Sequence, residues 1–351
     1  MRRDGAVIWV RRFNDGPALR SAAANYLLLY ETVAANGEFV AVSGMLAVPR
    51  GNPPARGWPI VSWAHGTSGN APQCAPSRFP REDLEQKAMD SLVRRGYAVA
   101  QTDYEGNGTP GIHPYLVAGS LARDLADIVR ASREIDPQIG KRWIVAGHSE
   151  GGQAALDAAA FSPAWAPDLD LVGAVAYAPA THMEGLVQNA LLSNDPSGGY
   201  AFLGLLLEGF ASADPRISLE NLLTPQALQL IPQLQKMCID EAMVESGWAH
   251  IDPRAIFRPS GDVNAFYEEV AANTDPEGFH IGVPVLLLQG GSDEFIDSSA
   301  TIGVRDALCR AGTPTTFDAY PSATHGTVLL QADSDVAAWV AQRFAGVPAR
   351  C

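Results

Sequence analysis

Gly147-His148-Ser149-Glu150-Gly151 sets a serine between glycines, with the apolar run Trp143-Ile144-Val145-Ala146 before it and the alanine-rich stretch Gly152-Gln153-Ala154-Ala155-Leu156-Asp157-Ala158 after it. The first run suits a strand buried on both faces, the second a helix. A strand that turns directly into a helix forces strained backbone angles on the corner residue, and glycine neighbours leave room for the turn. Ser149 falls at that corner, with its hydroxyl clear of its own backbone. The amide of Glu150 points from the helix N-terminus to where negative charge would develop if the serine attacked a carbonyl. An ordinary tight turn is the alternative reading of the five residues taken alone.

A serine hydroxyl needs a base to attack a carbonyl near neutral pH, and the base needs an acid to orient it. On a sheet of this kind the chain order is nucleophile, acid, histidine, each on a loop after a later strand. Of seven histidines only His325 lies beyond the buried-strand pattern 284–289, in the small-residue setting Ser322-Ala323-Thr324-His325-Gly326. For the acid, that strand runs into Gln289-Gly290-Gly291-Ser292-Asp293, and a carboxylate on this glycine turn can reach under the imidazole. Asp293 is preferred to Glu294 and Asp297, although each of the three could instead cap the helix that follows. A second oxyanion donor is expected from the loop His65-Gly66-Thr67-Ser68-Gly69, where Gly66 lets the chain fold back over the nucleophile. The amide of Thr67 is the candidate there, with its hydroxyl in reach and His65 bracing the loop.

These loops require strands to carry them. Residues 26–33 and 39–48 flank the hairpin signal Asn36-Gly37, and buried-strand patterns follow at 59–64, 97–102, 171–178 and 284–289, with a weaker one at 317–320. Helical spacing appears in Leu84, Ala88, Met89, Leu92 and Val93, ending at Gly96, again in Leu121, Leu125, Ile128 and Val129, and near 336–344. The alternation predicts an α/β fold around a mostly parallel sheet with antiparallel strands at its N-terminal side. Roughly a hundred residues separate the strands at 171–178 and 284–289, far beyond a usual connection, so an inserted helical subdomain is expected. The division is 1–182 for the first part of the core, 183–280 for the insertion and 281–351 for the second part. Pro196, Pro215, Pro225, Pro232 and Pro253 cut the insertion into short helices such as 200–210 and 227–240. The run Phe202-Leu203-Gly204-Leu205-Leu206-Leu207 is either its core or the wall of an apolar substrate cavity.

The formal charge of −14 repels phosphate backbones and anionic headgroups, which argues against a nucleic-acid partner or polybasic membrane anchor. No apolar stretch reaches the roughly 18 residues of a membrane span. The N-terminus Met1-Arg2-Arg3-Asp4-Gly5 has no apolar segment of a signal peptide behind it. Gly106-Asn107-Gly108-Thr109-Pro110-Gly111 matches a dinucleotide-binding spacing, but Pro110 and Pro114 prevent a helix from opening on the third glycine, so the stretch is read as an edge of the active-site cleft. His65, His113 and His148 lack metal-ligand spacing, and neither a metal nor an organic cofactor is expected. The four cysteines, Cys74, Cys238, Cys309 and Cys351, form no Cys-x-x-Cys pair and leave either disulfides or buried thiols.

Together these residues resemble the α/β-hydrolase superfamily and, within it, the secretory lipase family of lipase A-like enzymes. The resemblance runs from about Ala24 onward. It rests on His65-Gly66-Thr67, Asp103-Tyr104-Glu105-Gly106 with His113-Pro114-Tyr115, the corner at Ser149 and the Gln289-Gly290-x-x-Asp293 turn. It implies an esterase or lipase acting on small-molecule or lipid esters, with Ser149, Asp293 and His325 as triad. A helical cap would form an acyl pocket and could touch a lipid interface transiently. It also implies two disulfides, of which Cys74 with Cys238 and Cys309 with Cys351 is the favoured pairing, and secretion or a periplasmic location, with a cytoplasmic one as the alternative.

Overall fold

Strand and helix signals alternate along the chain, and the computed structural model, which describes residues 3–78, 83–193, 195 and 200–351, resolves them into one nine-stranded sheet flanked by helices. The strands are β1 (Val7–Phe13), β2 (Ala24–Val33), β3 (Phe39–Val48), β4 (Trp58–Ala64), β5 (Ala98–Thr102), β6 (Ile139–His148), β7 (Asp170–Tyr177), β8 (Val285–Gly290) and β9 (Thr315–Tyr320). Their order is β1-β2-β3-β5-β4-β6-β7-β8-β9. The pairs from β1 through β3 to β5 are antiparallel, and those from β5 through β4 to β9 are parallel. The hairpin at Asn36-Gly37 forms with Val33 opposite Phe39, and Gly37 takes φ +86°, which glycine adopts without strain. Strand β1 is the element the sequence reading passes over. Its Ile8, Trp9 and Val10 are exposed, so pairing with β2 rather than burial of one face makes it a strand.

Successive residues of a strand face opposite sides of the sheet. Trp143 and Val145 of β6, Ala174 and Ala176 of β7 and Leu287 of β8 pack into one apolar cluster with the helices Ala118–Ile135 and Glu150–Trp165. Ile144, Ala146, Val175, Tyr177, Leu286 and Leu288 join a second cluster with the helices Leu84–Arg94 and Asp333–Phe344. Because both faces are covered, these strands read as continuous apolar runs rather than alternating ones. The order reverses at β4, with β5 on one side and β6 on the other. The loops after β4 and β6 therefore flank a crevice at the carboxyl ends of the strands, where ligands bind in open parallel sheets.

Between β7 and β8 the chain forms the helices Glu184–Leu192, Tyr200–Ala213, Pro225–Leu234, Ile239–Glu245 and Val263–Thr274. They enclose a third apolar cluster, in which Leu203, Leu205, Leu206 and Leu207 are buried, so that run is chiefly core. Pro225 opens its helix behind Thr224, whose hydroxyl accepts from the Ala227 amide at 3.2 Å. Pro232 does not cut the chain as expected but sits inside the same helix, where only one backbone hydrogen bond near the helix end is forgone. The break in 227–240 falls instead before Cys238, which caps the helix Ile239–Glu245. Pro196 lies outside the described residues.

Cys74 bonds Cys238, joining the loop after β4 to the insertion, and Cys309 bonds Cys351, with Cα separations of 5.4 and 5.9 Å. Each closes a long loop, and the lost unfolded-state entropy corresponds to about 4 to 5 kcal/mol. Among the described residues no helix is long and apolar enough to cross a membrane.

Candidate active site

Strand β6 ends at His148 and the helix Glu150–Trp165 follows at once, leaving Ser149 at φ +58° and ψ −117°. A non-glycine residue in this region carries strain on the order of 1–3 kcal/mol that the surroundings must hold. The Ser149 amide donates to the Tyr177 carbonyl at 2.9 Å, and its own carbonyl accepts from Gln153 and Ala180 at 3.1 and 3.0 Å. Gly151 decides how closely the parts approach, since a Cβ there would lie 1.9 Å from the Ala64 carbonyl oxygen. The Ser149 side chain is partly exposed at this corner.

Asp293 and His325 meet. His325 Nδ1 donates to Asp293 Oδ2 at 2.9 Å, and both side chains are largely buried. The amides of Phe295 and Ile296 each donate to Asp293 Oδ1 at 2.9 Å, and Gln289 Nε2 donates to Oδ2 at 2.9 Å. Burial pushes the Asp293 carboxyl up, but the His325 hydrogen bond and the two amides outweigh it and hold its pKa below the usual 3.8. The competitors have other work. Asp297 caps the helix Ser298–Arg310 by accepting from Ser299 at 2.7 Å, and Glu294 Oε2 accepts from the His325 amide at 3.1 Å.

No hydrogen bond joins Ser149 Oγ to His325 among the described residues; the two loops meet through His148, whose Nε2 donates to the His325 carbonyl at 2.8 Å and whose ring lies 4.5 Å from that of His325. Glu85, which sequence reasoning missed, ties this contact to the loop after β4. Its Oε1 accepts from the Gly66 amide at 2.9 Å and faces His148 Nδ1 at 3.5 Å, while Oε2 accepts from the Trp63 indole at 2.8 Å. Burial pushes the Glu85 carboxyl up, and the His148 hydrogen bond and charge, with the indole, bring it below its ordinary value. No local pattern marks Glu85, which is one charged residue in the first turn of an amphipathic helix.

On the other flank of Ser149, His113 Nε2 lies 2.7 Å from Glu150 Oε1, with both side chains almost fully buried. His113 Nδ1 donates to the Glu105 carbonyl at 3.0 Å, because a carbonyl can only accept. The contact fixes the Glu150 side chain beside the nucleophile corner.

The loop after β4 is held by its side chains. Tyr104 donates to the His65 carbonyl at 3.0 Å, His65 Nδ1 donates to the Gly66 carbonyl at 2.7 Å, and Thr67 Oγ1 pairs with the Tyr115 hydroxyl at 2.9 Å. The glycine stretch at 106–111 opens no helix; Asn107 Nδ2 donates instead to Ser68 Oγ at 2.8 Å, which braces this loop. Phe295 is exposed beside His325, with ring centres 5.2 Å apart, and Phe202 from the insertion lies 6.2 Å from Phe295.

Asp157, on the helix behind Ser149, is fully buried; Gln153 Nε2 donates to its Oδ1 at 2.7 Å, and its Oδ2 has no partner among the described residues. Burial raises its pKa well above 3.8, and the Gln153 bond offsets only part of that. A carboxyl raised on folding binds its proton more tightly in the folded state. Its stabilising effect is therefore complete below the unfolded value near 3.8 and declines as pH rises above it. Urea unfolding at pH 5 and pH 8 is expected to show a smaller loss of stability with rising pH in Asp157→Asn than in the parent; equal losses would contradict this account.

A mostly parallel sheet with helices on both faces, a serine at a strand-to-helix corner, and an acid and histidine on later loops define the α/β-hydrolase fold. Within it the chain belongs to the secretory lipase family, whose model matches residues 81–350. It is 25% identical over 312 residues to a secreted triacylglycerol lipase of Malassezia globosa, covering 82% of this chain and 66%, just under two thirds, of that lipase. A Mycobacterium tuberculosis protein named "probable inactive lipase" is 27% identical over 350 residues, covering 92% of this chain and 74% of that protein. Candida antarctica lipase A superposes with a TM-score of 0.81 at 17% identity, over 99% of this chain and 84% of the other. The rice cell wall degrading esterase of Xanthomonas oryzae superposes at 0.72 and 17% identity, over 99% and 100%.

Proposed function

We propose that the protein hydrolyses carboxylic esters through an acyl-enzyme on Ser149. Ser149 Oγ attacks the ester carbonyl as His325 Nε2 takes its proton; Asp293 stabilises the imidazolium, and the Thr67 and Glu150 amides bind the oxyanion. His325 then returns the proton to the leaving alcohol, and water repeats the sequence to release the acid. The observation that carries this reading is the 2.9 Å bond from His325 Nδ1 to Asp293, on a loop that rests against the residue preceding Ser149. It points the other imidazole nitrogen away from the acid. In substrate-free enzymes the bond from nucleophile to base commonly tightens only when substrate arrives.

Residues 183–280 serve as a helical cap in this reading, with Phe202 and Phe295 forming an apolar wall beside His325. Two disulfides and family membership support secretion. A non-catalytic role is the alternative raised by the relative named as inactive; the presence of Ser149, Asp293 and His325 in this chain supports the catalytic reading. Rates over p-nitrophenyl esters of increasing acyl length test the proposal. Activity on these esters is the expected outcome; a peak at short acyl chains would make the protein an esterase with a narrow cap pocket, and activity rising only above the solubility limit would make it a true lipase. Acyl transfer to added alcohol or amine in preference to water would replace hydrolysis with transfer, and cleavage of amides but not esters would indicate a peptidase.

A further inference from the structure

Tyr115 is fully buried, and among the described residues its hydroxyl has a single hydrogen-bond partner, Thr67 Oγ1, at 2.9 Å. A phenol brings one proton and must place it; a buried donor left without an acceptor costs about 1–3 kcal/mol. Thr67 Oγ1 is the acceptor present, so Tyr115 donates and Thr67 accepts. Thr67 then cannot spend its own proton on Tyr115. It is only partly buried, on the loop whose Gly66 amide is fixed by Glu85 at 2.9 Å, and its free proton is available to the crevice. We infer that Tyr115 is a positioning residue that holds the Thr67 side chain as a third oxyanion donor, added to the Thr67 and Glu150 amides. The inference rests on the ester-hydrolase reading above. Tyr115 touches no reacting atom; it acts by fixing which way the neighbouring hydroxyl points. Gly209 belongs to the same arrangement, since a Cβ there would lie 2.5 Å from the Tyr115 amide nitrogen, so the insertion helix Tyr200–Ala213 presses the tyrosine into place.

Steady-state hydrolysis of a soluble p-nitrophenyl ester, with inhibition by a boronic acid that forms a tetrahedral adduct, tests it in the full-length protein. Thr67→Val is expected to lower kcat about a hundredfold with little change in KM, as loss of an oxyanion donor does. Thr67→Ser keeps the hydroxyl and is expected to retain most activity. Tyr115→Phe is expected to lower kcat by about three- to tenfold at constant KM, and to weaken the boronate by a similar factor. In the Thr67→Val background Tyr115→Phe is expected to add nothing, because the proton it orients is gone. A cooperatively folding Thr67→Val within about twofold of the parent in kcat, or a Tyr115→Phe effect undiminished in that background, overturns the inference. Should Thr67→Val not fold, unchanged kcat and boronate affinity in Tyr115→Phe overturn it equally. Parent protein that hydrolyses no ester fails the underlying reading instead, and fluorophosphonate labelling of Ser149 in the same sample separates the two failures.

Discussion

Replacing Ser149 with alanine is expected to lower ester hydrolysis about 10⁵- to 10⁶-fold, leaving the small residue of rate that oxyanion binding supplies alone. The effect is large because, in the proposed mechanism, Ser149 Oγ is the atom that bonds to the acyl group, and neither the histidine nor the oxyanion donors can form that bond. The fold is expected to survive, since the corner is held by backbone hydrogen bonds from Ser149 to Tyr177, Gln153 and Ala180 and not by the hydroxyl. Hydrolysis of a p-nitrophenyl ester, a thermal melt and fluorophosphonate labelling check all three points together. Hydrolysis by Ser149→Ala above about a tenth of the parent rate would remove Ser149 from the mechanism.

Asp293→Asn is expected to cost about 10⁴-fold in kcat. An amide side chain in this place still accepts from Phe295 and Ile296, which now bond Oδ1 at 2.9 Å, so the turn keeps its shape. It then presents an N–H where His325 Nδ1 needs an acceptor, favouring the tautomer whose Nε2 carries the proton and cannot take one from serine. The lost negative charge also leaves the imidazolium unsupported. Glu294→Gln and Asp297→Asn are expected to stay within about tenfold of the parent, because one holds the His325 amide and the other a helix cap. A loss in either variant equal to that of Asp293→Asn would move the acid's role to that residue.

Local pattern suffices where an element's requirements lie in neighbouring residues. Strands buried on both faces are uninterrupted apolar runs, and β4, β7 and β8 lie close to where such runs place them. The Ser149 corner was legible because its requirements are local, being glycine on either side, strand before and helix after. The order of serine, acid and histidine, with the small-residue setting, singled out His325, and the fold sets its Nδ1 2.9 Å from Asp293. Strand β1 escaped because its consecutive Ile8, Trp9 and Val10 face solvent on an edge, so it shows neither a buried run nor a clean alternation. Pro232 misled because a proline near a helix end forfeits little.

Glu85, His113, His148 and Tyr115 mark the limit of that legibility. Glu85 carries no local signal, the motifs that hold His113, His148 and Tyr115 do not show what those side chains bond, and each takes part through partners far along the chain: Glu85 with Gly66 and His148, His113 with Glu150, His148 with His325, Tyr115 with Thr67. Composition and spacing pointed to the proposed chemistry and the order of its parts, since backbone conformation and strand burial depend on nearby residues. Tertiary structure alone decided which carboxylate faces the imidazole, which hydroxyl spends its proton where, and that the acid beside the nucleophile is paired with His113. Those are properties of a buried proton and its nearest acceptor, and nearness in space is set by how the sheet stacks its loops, not by any interval along the chain.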